Sequence, residues 1–177
     1  MDNYSVVNMV ATARLGEHFD LLDISADLNI RYSPEQFPGM SIKLKSPKVC
    51  VNLFRSGKAV VTGAKQESDI KTAFTQVMTL LKDYEPYDDL IYSISNVVVT
   101  LDYGKALNLS HLTLSLPMVR TEYEPEQFPG LIFRLKEPLS VCLIFSSGKC
   151  VITGNDSINE AKDAVSALKL ELDEVVK

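Results

Sequence analysis

The sequence predicts an α+β protein built as one unit written twice: a curved antiparallel sheet with helices packed on a single face. Three observations carry that prediction. The hexapeptide Pro34-Glu35-Gln36-Phe37-Pro38-Gly39 recurs unchanged from Pro125 to Gly130, an offset of 91 residues. Strand-like segments lie between turn signals too closely spaced for crossover helices, which restricts their pairing to hairpins. Each copy then closes on a segment whose apolar residues fall on one helical stripe.

Further landmarks extend the duplication over nearly the whole chain. Leu53-Phe54-Arg55-Ser56-Gly57-Lys58 returns as Ile144-Phe145-Ser146-Ser147-Gly148-Lys149, and Val60-Val61-Thr62-Gly63 as Val151-Ile152-Thr153-Gly154. Asn8 to Thr12 matches Asn96 to Thr100 at an offset of 88, so the second copy has gained three residues in its first helix or the adjoining loop. The repeats divide at 1–87 and 88–177 within one continuous domain, and two copies imply pseudo-twofold symmetry rather than a solenoid.

Val6 to Arg14 and Tyr92 to Leu101 are short, β-branched strands. Phe19 to Ile24 and Leu107 to Leu116 have the apolar spacing of short helices. The block from Tyr32 to Ala64 alternates strands with turns at Pro38-Gly39, Ser46-Pro47 and Ser56-Gly57. Its twin turns at Pro129-Gly130, Glu137-Pro138 and Ser147-Gly148. Glu67 to Tyr84 sets Ile70, Phe74, Val77, Met78 and Leu81 on one helical face. Asp156 to Val176 does the same with Ile158, Ala161, Val165, Leu168 and Leu172, behind the N-cap candidates Asn155, Asp156 and Ser157.

Composition excludes several classes. Of 177 residues, 46% are apolar and 23% charged, which is globular rather than disordered. No apolar run reaches the roughly 18 residues of a membrane span, and Met1 to Leu15 lacks the order of a secretory signal. Cys50, Cys142 and Cys150 sit in apolar runs and read as reduced, buried thiols of an intracellular protein, in cytoplasm or nucleoid. His18 and His111 are unrelated by the repeat, no Cys or His cluster has metal-ligand spacing, and no Gly-rich loop precedes a helix. No catalytic residue, metal or cofactor is expected.

The net charge of −5 hides a segregation. Residues 36–66 carry +6 and residues 127–155 carry +2, while the rest carries −13. Such a division allows a basic face under an acidic back, and local field governs attraction of a polyanion.

Side chains alternate across a strand, so Phe54 shares a face with Asn52, and Val60 with Thr62. In the second copy Phe145 goes with Leu143, and Val151 with Thr153. Both faces are thus largely apolar, yet helices cover only one. An exposed apolar face marks an interaction surface; the competing reading is a second sheet or a dimer partner burying it. Phe37 and Phe128, beside Pro-Gly turns at sheet ends, look like wedges rather than core.

The doubled EQFPG, LIF-x-SGK and V-x-TG pattern, each preceded by an N-x-V strand, resembles the TATA-box-binding protein family from about Val6 to Val175. The short N-terminus and acidic balance look more like archaeal members. The resemblance implies a saddle with a ten-stranded curved antiparallel sheet and four helices on its convex face. Its underside would lie in the minor groove of double-stranded, A·T-rich promoter DNA. Its upper and end surfaces would recruit transcription factor B and, indirectly, RNA polymerase, with no membrane role. Self-association of the DNA-free chain stays open.

Under that resemblance, Asn8 and Asn96 donate to minor-groove acceptors, which are all that A·T pairs display there. Val10, Val60, Val98, Val151 and Leu143 press on the groove floor, and Thr62 and Thr153 add hydroxyls. Phe37 with Phe54, and Phe128 with Phe145, insert between base steps. Lys43, Arg55, Lys58, Arg134 and Lys149 meet phosphates. Glu124 and Glu126 match acidic positions that hold transcription factor B; Ser33 replaces the first in the other copy, so factor binding favours the C-terminal end. Three departures stand out: Asn52 where the second copy has Leu143, Ser41 opposite Ile132, and Lys43 opposite Arg134. They leave a second reading, a diverged paralogue acting as a protein-interaction module or specialised regulator.

Overall fold

The computed structural model describes residues 3–176. In chain order these form β1 (Tyr4–Arg14), α1 (Leu21–Leu28), β2 (Met40–Lys43), β3 (Cys50–Leu53), β4 (Lys58–Ala64), α2 (Glu67–Leu80) and β5 (Tyr92–Asp102). There follow α3 (Leu109–Ser115), β6 (Thr121–Glu122), β7 (Leu131–Lys136), β8 (Leu139–Ile144), β9 (Lys149–Asn155) and α4 (Ile158–Val175). The chain divides into two compact units: Asn8–Ser95, and the sequence from Asn96 onward together with the residues before Asn8.

In the first unit β2, β3, β4 and β1 lie side by side, antiparallel throughout. Burial alternates along each strand as the pleat requires. Met9, Ala11 and Ala13 of β1 are buried, as are Met40, Ile42, Val51, Leu53, Ala59, Val61 and Ala64. They pack under Ile70, Phe74 and Val77 of α2, with Leu21 and Ile24 of α1 also buried. Asp20 caps α1 by accepting from the Leu22 and Asp23 amides at 3.1 and 3.2 Å. The residues between these buried positions stay at least partly open, so two helices cover one face and leave the other.

The second unit repeats the plan with β5, β9, β8, β7 and β6. Val97, Val99, Leu131, Phe133, Leu135, Ile144 and Ile152 are buried beneath Ala161, Ala164, Val165, Leu168 and Leu172 of α4. Ser157 supplies the cap, accepting from the Glu160 amide at 3.1 Å.

Nine strands are present among the described residues, one fewer than the ten expected. The missing one is the counterpart of β6, the segment Ile30-Arg31. Its amide is already spent: Asn29 ends α1 in the left-handed conformation at φ 53°, and the Ile30 N–H donates to the Ser25 carbonyl at 2.9 Å. A cleft of about 530 Å³, lined by Ile30, Arg31, Ser41, Ile42 and Lys43, lies where that strand would pair. In the second unit the three extra residues fall after α3, and a 3-10 turn at Met118–Arg120 leads into β6 instead.

Other expectations shift slightly. The first-copy helix begins at Leu21 rather than Phe19, and α2 stops at Leu80, with Lys82–Tyr84 forming a 3-10 turn. Met78 is half-buried, and Ala73 is the neighbour that packs fully. The three cysteines are free, but Cys50 is only half-buried, because the pleat puts it on the uncovered face while Cys142 and Cys150 lie on the covered one.

Candidate functional site

The ladder register sets the uncovered residues of each unit in rows. In the first unit Ser41 faces Asn52, Asn52 faces Val60, and Val60 faces Thr12; one step along, Lys43, Cys50 and Thr62 form the next row. In the second unit the same rows read Ile132, Leu143, Val151, Thr100 and Arg134, Val141, Thr153. Apart from exposed Lys43 and Arg134, all of these are half-buried. Val10 and Val98, alternating with the buried β1 and β5 residues, share this state. The second unit's face is a mostly apolar strip and the first unit's a more polar one, and each carries hydroxyls and a cation at its edge.

Asn8 and Asn96 owe their orientation to a bulge. The β1–β4 register slips between Met9 and Ala11, and the β5–β9 register slips between Val97 and Val99. Opposite each slip stands a glycine at positive φ, Gly63 at 91° and Gly154 at 96°. Side-chain-bearing residues pay strain there. These glycines aim their amides at the side chains: Gly63 N–H donates to Asn8 Oδ1 at 2.7 Å, and Gly154 N–H to Asn96 Oδ1 at 2.9 Å. A backbone N–H can only donate, so each carboxamide oxygen must face it and each amide nitrogen must face away. Asn96 Nδ2 also donates to Thr153 Oγ1 at 3.1 Å. The repeat therefore holds two amide donors in matched positions.

The aromatic pairs match as closely. Phe37 and Phe54 have ring centroids 5.9 Å apart at 69°, and Phe128 and Phe145 are 5.9 Å apart at 71°. Such edge-to-face contacts favour one arrangement of each pair. Phe37 and Phe128 are nonetheless 41% and 37% exposed, unlike the buried Phe74 and Phe133. A Cβ on Gly39 or Gly130 would come within 2.8 Å of the first ring and 3.0 Å of the second. The Pro-Gly turn is thus the seat on which both rings rest.

Lys43, Lys58 and Lys149 are exposed. Arg55 and Arg134 are exposed too but engaged: Arg55 Nε donates to His18 Nε2 at 3.0 Å, and Arg134 pairs with Glu122 at 3.6 Å. A solvent-exposed pair of that kind is worth about 0–1 kcal/mol, so an incoming anion can displace it. Glu124 and Glu126 are exposed on the loop before β7, and the Glu124 carbonyl accepts from the Gln127 and Phe128 amides, both at 3.0 Å. That turn joins the acidic loop to the Phe128 seat.

Reading by sequence passed over several residues of these faces. Thr12 and Thr100 complete the rows and were discoverable from the 88-residue offset. Gly63 and Gly154 stand in the repeat, but only the register slip reveals their duty. His18 has no repeat counterpart, and nothing in the sequence announces its bond to Arg55. Among the described residues no group of His, Cys, Asp and Glu could hold a metal ion, and no helix is long and apolar enough to cross a membrane.

Fold and site together define an internally duplicated sheet protein with a helix-covered face and an uncovered, donor-bearing one. The family model described as transcription factor TFIID, or TATA-binding protein, matches residues 3–84 and 91–175. The chain is 43% identical to the TATA-box-binding protein of Picrophilus torridus, covering 99% of this chain and 97% of that one. It is 41% identical to that of Archaeoglobus fulgidus, covering 97% of each. The solved structure of the Methanococcus jannaschii protein superposes with a TM-score of 0.88 at 41% identity, covering 98% of this chain and 99% of that chain. The chain belongs to the TATA-box-binding protein family, whose fold it shares, and is thereby placed among proteins of transcription initiation rather than among enzymes.

Burial pushes the Cys142 thiol up to about 12, and burial with the Asp102 charge does the same for Cys150. Thiolate is the reactive form, so burial leaves both thiols almost wholly protonated and unreactive at pH 8. Brief alkylation of the native protein should label Cys50 alone, read by peptide mass spectrometry. Labelling of all three at equal rates would contradict the assignment of faces.

Proposed function

We propose that the chain binds A·T-rich promoter DNA through the minor groove, bends it, and recruits transcription factor B and through it RNA polymerase. The observation that supports this best is the pair of matched uncovered faces, each with a bulge-oriented Asn, valines beside it and a seated Phe pair. The minor groove of A·T pairs offers acceptors only. Asn8 and Asn96 bring the donors. Val10, Val60, Val98, Val151 and Leu143 press on the groove floor and offer no partner for the guanine amino group. Thr62 and Thr153 contribute hydroxyls at the margins.

The Phe pairs act as wedges between base steps. Unstacking costs roughly a few kcal/mol per step, a figure general to minor-groove benders of this family rather than derived from this chain. Flexible TA steps lower the cost, so deformability adds to selectivity. Lys43, Arg55, Lys58, Arg134 and Lys149 meet phosphates and set position without reading sequence. The exposed Glu124 and Glu126 carboxylates give transcription factor B a charged foothold at the second unit.

In a fluorescence-anisotropy titration an A·T-rich duplex should bind at least about tenfold more tightly than a G·C-rich one, with affinity falling steeply as salt rises. Phe128→Ala with Phe145→Ala should reduce bending in gel phasing to the single kink left by Phe37 and Phe54, while leaving the fold intact. Binding of neither duplex would support the diverged interaction module instead, and a bend angle unchanged by the two substitutions would remove the wedge role. Charge reversal at Glu124 and Glu126 should release transcription factor B from the DNA complex without changing duplex affinity; an unchanged complex would remove their role.

A further inference from the structure

The two units differ most, on their otherwise matched faces, at one cross-strand position. Ser41 and Asn52 face each other between β2 and β3, where the second unit sets Ile132 against Leu143. The Ser41 hydroxyl donates to Asn52 Oδ1 at 2.7 Å, and the Cys50 thiol reaches the same oxygen at 3.7 Å. The carboxamide oxygen is therefore occupied from two sides. Its nitrogen keeps two donors, and the serine oxygen, having given its proton, keeps lone pairs. Both side chains are half-buried on the uncovered face. Asn52 stands two residues before Phe54, and Ser41 two residues after Gly39, the seat of the Phe37 and Phe54 rings.

Resting on the promoter-binding reading, we infer that Ser41 and Asn52 make the first unit tolerate a G·C pair next to its wedged step, whereas Ile132 and Leu143 hold the second unit to A·T. In the minor groove G·C differs from A·T by one feature, the guanine amino donor. Against Ile132 and Leu143 that amino group loses water and finds no acceptor, which is penalised. Against the first unit the Ser41 oxygen accepts it, while Asn52 Nδ2 donates to a base acceptor alongside. Serine in place of isoleucine also removes the bulk that would meet the amino group. A site with G·C at one end is then bound in one orientation, the first unit on that end. The pseudo-symmetric protein acquires a polarity from two side chains.

Three duplexes test this by competition anisotropy at fixed salt: all A·T across the site, G·C beside one terminal step, and G·C beside both. The native chain should bind the one-sided duplex within about threefold of the all-A·T duplex and the two-sided one at least about tenfold more weakly, the scale of one mismatched base pair. Ser41→Ile with Asn52→Leu should extend the penalty of about tenfold to the one-sided duplex, measured against the same variant's all-A·T binding, with an unchanged thermal melt as the control for folding. The converse exchange, Ile132→Ser with Leu143→Asn, should relieve the two-sided penalty, and it keeps the test decisive if the first variant fails to fold. Equal penalties for one-sided and two-sided duplexes in the native chain would overturn the inference, as would a one-sided penalty unmoved by the exchanges. Binding that does not distinguish all-A·T from all-G·C duplexes would instead overturn the promoter-binding reading and take this inference with it.

Discussion

Side chains alternate across a β-strand, and each unit owns two helices for one sheet; everything else in this molecule follows from that mismatch. In β1 the buried set is Met9, Ala11 and Ala13, and the residues between them, Val10 and Thr12, are left half open. The same holds for Val60 beside Val61 and for Val151 beside Ile152. Removing apolar area from water stabilises by about 25 cal/mol per Å², so strips of half-covered valine forgo stability the fold could have had. A ligand that covers them recovers it. A double-stranded polyanion suits the rest of the surface, with cations at the edges and donors set among the valines.

Those donors and aromatic pairs are positioned by backbone rather than by chance rotamers. Each Asn is locked by a glycine amide at a bulge, and each Phe pair is seated on a glycine too close to admit a Cβ. The two copies agree in these devices to within a few degrees and tenths of an ångström, as the ring pairs at 69° and 71° illustrate. They diverge where the devices do not reach, at Ser41 and Asn52 and in the segment before β2. Conserving the seats while changing the strip between them is how one duplicated surface can be made to treat its two halves differently.

The duplication made the fold legible. Repeats at two offsets located the hairpins, and helical stripes at Ile70, Phe74 and Val77 located the cover. Alternation alone named the open face, down to Asn52, Leu143, Val60 and Val151. Two things stayed out of reach because they depend on which partner a group chooses. The Ile30 amide is claimed by the end of α1, which removes the tenth strand, and no local pattern distinguishes that from a ladder. Arg55 and Arg134 entered only as phosphate contacts implied by the resemblance, and their partners His18 and Glu122 come within reach only on folding. Cys50, by contrast, was within reach: it stands two residues before Asn52, so alternation puts its thiol on the open side, although its apolar run suggested burial.

The central claim, that the uncovered sheet faces are where a duplex sits, is tested most directly by methyl NMR of valine-labelled protein titrated with an A·T-rich duplex. Large shifts are expected at Val10, Val60, Val98 and Val151, with Val77 and Val165, on the buried sides of α2 and α4, scarcely moved. Shifts confined to methyls of the helix-covered side, or none on the open faces at saturating DNA, would contradict it.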